Sequence, residues 1–266
     1  MTSELVFVGL GLSGADGMTV KALEALRGCD RIYAEFYTST LLGASVSDLE
    51  GAVGKKIEVV FRRQVEEDEA IIDAAASMRV GFVTAGDTML ATTHVDLRIQ
   101  AAERGIPVRI IHGVSVFGAC PSSLGLQPYK FGRTVTLPFL EEGYQPKSPY
   151  DNILENRRRG LHTMVLLDIR ADEARYMTAH QAIEWLIEGE RKWGEGLITG
   201  ETLICVASKV GSPEERTVAG YPQDLLEADL GSPLQTLVIP GTLHFMEAYA
   251  LAEFSGAPKE IISEED

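Results

Sequence analysis

The sequence predicts two α/β domains, the first built on a mostly parallel sheet and the second on a mixed sheet. Short apolar runs alternate with amphipathic segments through the first 114 residues, and largely apolar strands are typical of parallel sheets covered on both faces. After Gly113 the pattern changes to turn-rich links around one long helical segment. The 266 residues suffice for two cores. We therefore expect domains at 1–114 and 115–266.

In the first domain, each predicted strand is short and is followed by a helical segment. The strands are 5–8, 31–34, 57–61, 80–84 and 108–111. The helical segments, each apolar on one side, are 19–26, 46–53, 65–77 and 93–104. This order is a repeated βα unit, and in such sheets ligands bind outside the carboxyl ends of the strands.

In the second domain, the turn-rich links favour some antiparallel pairing. The predicted strands are 134–137, 163–167, 203–207, 217–221 and 236–239, and the long helix is 179–193. The basic run Arg157–Arg159 is interpreted as an exposed helix end beside Gly160, because cations complement the helix dipole there. Residues 121–130 are predicted as a loop near the domain boundary.

Composition and charge exclude several classes of partner. A net charge of -15 should repel a phosphate backbone, so we expect no nucleic acid partner. The apolar runs are far shorter than the ~20 residues that a membrane-spanning helix requires. The first residues lack the basic region of a secretory signal, which favours the cytoplasm. Three dispersed cysteines predict reduced, mostly buried thiols, and five histidines without ligand spacing are interpreted as structural, with no metal.

The most informative stretch is 86–94, where an apolar strand ends and an amphipathic helix begins. Together with 9–12 after the first strand and 34–39 after the second, it makes three polar or glycine-bearing loops. These loops follow the carboxyl ends of successive strands, so we expect them to converge on one crevice.

Two short motifs in the first domain allow alternative interpretations. Residues 9–14 match the G-x-G-x-x-G fingerprint, with Glu35 about 20 residues further on, which makes an NAD site a fair hypothesis. The alternative is a turn that needs permissive glycines, because Gly14 does not open the predicted helix. Ser115 resembles a nucleophile elbow but has Phe117 where glycine is required. We expect Ser115 to cap the next helix or to offer its backbone to a ligand.

An ordered set of motifs spread over both domains resembles the diphthine synthases, which belong to the tetrapyrrole methylase-like class of methyltransferases. The motifs are 9–12, 34–39, 86–94, 129–132, 160–163, 167–169 and 240–244. The resemblance runs from about residue 4 to 259 with natural spacing. It implies two α/β domains of the tetrapyrrole methylase type, with S-adenosylmethionine in the cleft between them.

The resemblance also implies the reaction. Methyl groups would pass stepwise from S-adenosylmethionine, which leaves as S-adenosylhomocysteine, to the amino group of a 3-amino-3-carboxypropyl-histidine on translation elongation factor 2. A homodimer is implied as well. The nearest alternative is a tetrapyrrole or ribosomal RNA methyltransferase of the same fold, although the acidity argues against RNA. An NAD-dependent oxidoreductase is a less favoured alternative.

Carried over position by position, the resemblance implies cofactor contacts from both domains. They fall on Leu12, Asp87, Leu90, Ser115, Val116, Leu167, Val210 and Gln235. The apolar members can wall a pocket, and Asp87 could accept hydrogen bonds from the ligand. The alternative for Asp87 is an Asx turn or helix cap. It is followed by Thr88, where relatives usually have proline, and threonine frees a backbone N–H.

Catalysis by such an enzyme should rest on positioning and desolvation, since methyl transfer to nitrogen needs no covalent enzyme intermediate. A dedicated base is optional, and none is assigned. Glu35 and Tyr37 are the acceptor-side candidates, because a carboxylate and an aromatic face both favour an ammonium group. The alternative for both residues is pairing and packing at the domain cleft. His94 is expected to be structural.

Overall fold

A computed structural model describes residues 3–37, 41–90, 92–141 and 144–262. The chain divides into two compact units. The first unit is Met1–Val116 with Ile169–Arg175, and the second is Phe117–Asp168 with Tyr176–Asp266. Nothing in the strand and helix pattern of the sequence predicts that residues 169–175 belong to the first unit. Of the predicted motifs, positions 38, 39 and 91 lie outside the described residues.

The first unit is built on a parallel sheet, as predicted. Its strands are β1 (Glu4–Gly9), β2 (Arg31–Glu35), β3 (Glu58–Val60), β4 (Arg79–Thr84) and β5 (Val108–Ile111). Their order is β3-β2-β4-β1-β5, and every pairing is parallel. The central strands β1 and β4 are buried along almost their whole length, and Phe7 packs edge-on against Phe82 at 5.7 Å between ring centroids. Burial on both faces explains their apolar sequences.

In the described part of the chain, five helices accompany this sheet, most of them where the periodicity predicts. They are α1 (Val20–Arg27), α2 (Val46–Val53), α3 (Arg62–Glu66), α4 (Ala70–Ala75) and α5 (Val95–Glu103). The prediction of one helix over 65–77 was wrong, because the chain breaks between α3 and α4. An acidic run, 66–69, spans the break. Negative charge is unfavourable at the end of one helix and favourable at the start of the next, which accounts for the division.

The second unit has a mixed sheet, which confirms the predicted class. Its strands are β6 (Val135–Leu137), β7 (Thr163–Leu167), β10 (Ile204–Ser208), β11 (Arg216–Gly220) and β12 (Gln235–Ile239). Their order is β11-β10-β12-β7-β6, in which only the β6–β7 pair is parallel. A separate two-stranded ribbon of β8 (Ile169–Arg170) and β9 (Arg175–Tyr176) was not predicted.

The helices that follow the first sheet are α6 (Val116–Leu124), α7 (Ser148–Arg158), α8 (Ala179–Trp193), α9 (Pro222–Glu227) and α10 (Phe245–Ser255). The prediction of a loop over 121–130 was wrong for residues 121–124, which form the end of α6. Pro121 lies inside α6 and is buried, so packing offsets the lost hydrogen bond. The basic run 157–159 does end a helix, and Gly160 follows it with φ +70°.

The three cysteines of the chain are buried free thiols, as predicted. Burial raises the pKa of Cys29 to about 11 and that of Cys120 to about 12. Among the described residues, no helix combines the length and the apolar character needed to span a membrane.

Candidate functional site

Three glycines let the loops after β1, β4 and β5 approach one another at the carboxyl edge of the first sheet. A Cβ atom on Gly9 would lie 2.7 Å from both the Gly113 nitrogen and the Gly86 oxygen. The loops after β1 and β4 also exchange two hydrogen bonds between Gly11 and Gly86, with N···O distances of 3.0 and 2.7 Å. The predicted convergence of 9–12 with 86–94 is therefore confirmed.

The glycine motif at 9–14 forms a turn and does not begin a helix. Gly11 and Gly14 have φ values of +84° and +61°, which only glycine adopts at low cost. Helix α1 begins at Val20, where the Thr19 hydroxyl accepts a hydrogen bond from the Ala22 N–H. The turn interpretation therefore fits better than a dinucleotide fingerprint, in which the third glycine opens the helix.

The Asp87 carboxylate joins the loop after β4 to the loop after β5. It accepts a hydrogen bond from the Gly113 N–H at 3.1 Å and contacts the His112 Nδ1 at 3.0 Å. Only 13% of its side chain is exposed. Met89 follows in the left-handed region with φ +67°. A non-glycine residue in this region costs conformational energy, and such strain clusters at ligand sites.

The five cofactor-binding candidates of the first unit share the carboxyl edge of its sheet. Leu12 follows Gly11, Leu90 is 42% exposed, and Ser115 and Val116 lie at the amino end of α6. Ser115 immediately precedes that helix, which is the N-cap position that the sequence predicts. Each candidate is at least partly exposed, so these side chains are available to a ligand.

The three candidates of the second unit also lie along one edge of their own sheet. Leu167 ends β7, Gln235 begins β12 and Val210 follows β10, and the strand register places these ends side by side. All three residues are buried. The Gln235 amide donates to the Leu230 oxygen at 2.7 Å and accepts from the Ala179 N–H at 2.8 Å. We therefore expect any Gln235 contact with a cofactor to come from its backbone or methylene groups.

The acceptor-side candidates form a buried contact with His94. The His94 Nε2 lies 3.4 Å from the Tyr37 hydroxyl and 3.6 Å from a Glu35 carboxylate oxygen. Glu35 and His94 are each 1% exposed. Burial lowers the pKa of His94 to about 4, so its ring is neutral near pH 7. The Arg62 guanidinium, which sequence reasoning missed, lies over the Tyr37 ring at 5.3 Å from its centroid.

A buried carboxylate that sequence reasoning also missed, Glu247, holds the second-unit motifs together. Its oxygens accept hydrogen bonds from Lys130 Nζ at 2.6 Å and from the His244 N–H at 2.8 Å. The His162 Nε2 lies 3.1 Å away, while the Gly241 N–H donates to His162 Nδ1 at 2.9 Å. Glu247 lies three residues after His244, and this spacing is the sequence signal for a capping box at the start of α10.

The contacts in this network favour an ionised Glu247 and a neutral His162. Burial by itself raises the pKa of Glu247, but hydrogen bonds from His244, Lys130 and Gln127 outweigh it and hold the pKa at about 2. Burial lowers the pKa of His162, and its Nδ1 must stay unprotonated to accept from Gly241. The motifs at 129–132, 160–163 and 240–244 thus meet around one carboxylate and stabilise the unit.

Comparison with known proteins identifies the family. Residues 4–225 match the tetrapyrrole (corrin/porphyrin) methylases. The diphthine synthase of Methanothermobacter thermautotrophicus is 43% identical over 258 residues, which cover 97% of this chain and 98% of the relative. The chain belongs to the diphthine synthase family. The diphthine synthase of Halorubrum lacusprofundi is 46% identical over 273 residues, with 98% and 100% of the two chains covered.

The fold of this diphthine synthase family member agrees with the assignment. A crystal structure of diphthine synthase superposes with a TM-score of 0.89 at 35% identity, covering 97% of this chain and 98% of that chain. The resemblance predicted from the motifs is therefore confirmed, and the protein is an S-adenosylmethionine-dependent methyltransferase. In the described part of the chain, no group of three or more histidine, cysteine or acidic residues is arranged to hold a metal ion.

Proposed function

We propose that the enzyme transfers methyl groups stepwise from S-adenosylmethionine to the amino group of the 3-amino-3-carboxypropyl-histidine of translation elongation factor 2, a step of diphthamide biosynthesis. The observation that supports this most is the similarity to diphthine synthases over nearly the full length of both chains. On this proposal, domain 1–114 carries the acceptor side and part of the cofactor site. Domain 115–266 completes the cofactor site.

The residues at the carboxyl edge of the first sheet suit S-adenosylmethionine, which when bound supplies a methyl group on a cationic sulfur. The ligand combines a flat adenine with a charged amino acid end, so it needs apolar walls and a few polar acceptors. Leu12, Leu90 and Val116 are partly exposed apolar side chains, and Asp87 is a partly exposed carboxylate. Gly9 and Gly113, where a Cβ atom would clash with neighbouring backbone, let the three loops that carry these residues pack closely.

The acceptor amine must be unprotonated and in line with the methyl group, so the chain's task is to orient it and to exclude water. We assign Glu35 and Tyr37 to the acceptor side, where the carboxylate by its charge and the ring by its face would favour the ammonium that forms as the methyl group is transferred. The Arg62 guanidinium already lies over one face of the Tyr37 ring, so an acceptor ammonium would have to approach the other face or displace Arg62.

Asp87→Asn is expected to weaken S-adenosylhomocysteine binding by roughly 10- to 100-fold, because a hydrogen bond to a charged group contributes about 1.5–3 kcal/mol. The asparagine side-chain oxygen can still accept from Gly113, so the melting temperature should change little. Isothermal titration calorimetry measures the affinity. Asp96→Asn is the matched control, since that exposed carboxylate contacts Gln100 on α5. Equal affinities for the two variants would contradict the assignment of Asp87 to the cofactor site.

Tyr37→Leu, which removes the aromatic face, and Glu35→Gln, which removes the charge, are expected to lower kcat/KM for the elongation factor by roughly 3- to 30-fold, in line with the ~0.5–2 kcal/mol of a cation–π or charge contact. S-adenosylhomocysteine affinity should stay within error. Initial rates at varied elongation factor concentration separate the two effects. Full methyl transfer by both variants would contradict the acceptor-side assignment.

The proposed reaction is tested by incubating the protein with S-adenosylmethionine and elongation factor 2 that carries the unmethylated arm. Intact mass followed by fragmentation should show one, two or three methyl increments on the modified histidine. Elongation factor without the arm is the control and should keep its mass. An unchanged mass for the arm-bearing factor, with cofactor still bound, would redirect the search to tetrapyrrole acceptors.

The family resemblance further supports a homodimer in the cytoplasm, without nucleic acid or membrane partners. The net charge of -15 supports the exclusion of nucleic acid. Sedimentation equilibrium should give twice the 28.9 kDa of one chain. A concentration-independent mass of one chain would contradict the dimer.

A further inference from the structure

A buried polar cluster connects the end of β2 to the end of β4 and the start of α5. We name it the His94 cluster; it comprises Glu35, Tyr37, Thr84 and His94. Glu35 and Thr84 are register partners on β2 and β4, so their side chains share one face of the sheet. The His94 ring packs edge-on against Phe82 at 5.0 Å. All four members are at most 8% exposed.

The polar contacts of His94 run through one nitrogen. Tyr37 and Glu35 both approach Nε2, whereas Nδ1 is buried and has no hydrogen-bond partner among the described residues. A neutral ring carries one proton. With that proton on Nε2, the Glu35 carboxylate lies beside a donor and Nδ1 is an unfilled acceptor. The other tautomer would bury an N–H without an acceptor, which costs more, so the geometry favours the Nε2–H tautomer.

Unsatisfied polar atoms concentrate in the segment that carries His94. Within 84–94, the side chains of Thr84, Thr88, Thr92 and His94 each bury a polar atom without a partner in the described part of the chain. Native proteins leave few such atoms, and each calls for an explanation. The same segment carries Asp87 and Leu90 and includes the strained Met89. Buried polar atoms without partners among the described residues therefore lie in the same segment where ligand contacts are expected.

We propose that His94 is a positioning residue, which through Nε2 fixes Tyr37 and Glu35 against the segment that bears Asp87 and Leu90. Acceptor-side and cofactor-side groups are then held by one short piece of chain. This inference rests on the proposed function, because it assigns Tyr37 and Glu35 to the acceptor. Its physical basis is that a misplacement of about 1 Å costs roughly 100-fold in rate for a reaction that depends on positioning.

Two amide substitutions separate this role from simple packing. In His94→Gln the side-chain nitrogen can take the place of Nε2, whereas in His94→Asn it can reach only the place of Nδ1. Both variants lose the ring contact with Phe82. We expect His94→Gln to keep kcat within about threefold of the parent and His94→Asn to lose roughly 30- to 100-fold, with S-adenosylhomocysteine affinity unchanged. Equal losses, or losses that follow the melting temperatures, would overturn the inference.

A second measurement does not depend on methyl transfer. Nitrogen-15 NMR of the histidine rings in the full chain should show His94 as the neutral Nε2–H tautomer between about pH 6 and 8. Tyr37→Phe should shift the His94 Nε2 resonance, whereas Tyr33→Phe, which removes a buried hydroxyl on β2, should not. A neutral Nδ1–H tautomer, or equal responses to the two variants, would contradict the Nε2 link. If the parent methylates no elongation factor, the proposed function fails while this measurement still decides the link.

Discussion

Glu247→Ala is expected to lower the free energy of unfolding by about 3–5 kcal/mol, because it leaves the Lys130 ammonium without its counter-charge and several buried polar groups without their acceptor. Lys130 and His162 both lose the carboxylate that they contact, and two backbone N–H groups lose their acceptor. Chemical denaturation followed by circular dichroism measures the change. The control is Glu253→Ala on the exposed face of the same helix, which should change stability by less than about 0.5 kcal/mol. Similar values for both variants would contradict a buried network.

The same carboxylate predicts how stability depends on pH. The pKa of Glu247 is lowered from 4.5 to about 2 in the folded state, so its contribution is fully present above pH 4.5 and is lost as the pH falls toward 2. The pKa of His162 is also lowered, from 6.5, so the unfolded state takes up a proton first below that pH. We expect the free energy of unfolding of the parent protein to decline below pH 6.5. The further decline below pH 4.5 should be absent in Glu247→Ala.

Gly113→Ala is expected to destabilise the first unit by about 1–3 kcal/mol and to weaken S-adenosylhomocysteine binding. The added Cβ would lie 2.5 Å from the Gly86 oxygen and 2.7 Å from the Gly9 oxygen. Both neighbours are backbone atoms, so no side chain can rotate away, and the loops after β1, β4 and β5 must separate. Thermal unfolding and calorimetric titration measure the two effects.

The matched control is Gly118→Ala, five residues further on. A Cβ atom at Gly118 meets nothing within 4 Å, and the residue lies inside α6, where alanine is about 0.5–1 kcal/mol more favourable than glycine. We therefore expect this variant to unfold at a slightly higher temperature and to bind the ligand normally. If Gly113→Ala behaved in the same way, the three loops would not depend on close backbone contact.

The parallel sheet of the first unit could be predicted because its central strands β1 and β4 are buried on both faces and are therefore almost continuously apolar in sequence. The loops at 9–12 and 86–94 were also predicted to converge, since each follows a strand end, but the close contact of Gly113 with them was not predicted. The break between α3 and α4 was missed because helical periodicity counts apolar positions and ignores the acidic run 66–69. The end of α6 was missed because residues 121–130 were predicted as a loop, whereas the buried Pro121 lies inside the helix.

Contacts between distant residues could not be predicted in the same way. The carboxylate of Glu247 meets His162 across 85 positions of sequence, and no local pattern encodes such a pairing. Likewise, Gln235 is a fair ligand candidate by resemblance, yet its amide hydrogen-bonds to its own unit. A motif residue can have a binding role or a framework role, and its hydrogen-bond partners help to separate the two.

The return of residues 169–175 to the first unit has a consequence for how the chain folds as it is made. Domains generally fold in turn from the amino terminus during synthesis. Here the ribosome must add β6, α7 and β7 of the second unit before the last piece of the first unit exists. A gene cut after residue 116 would therefore encode an incomplete first unit. Nascent chains of increasing length should complete that unit only after residue 175 has left the exit tunnel.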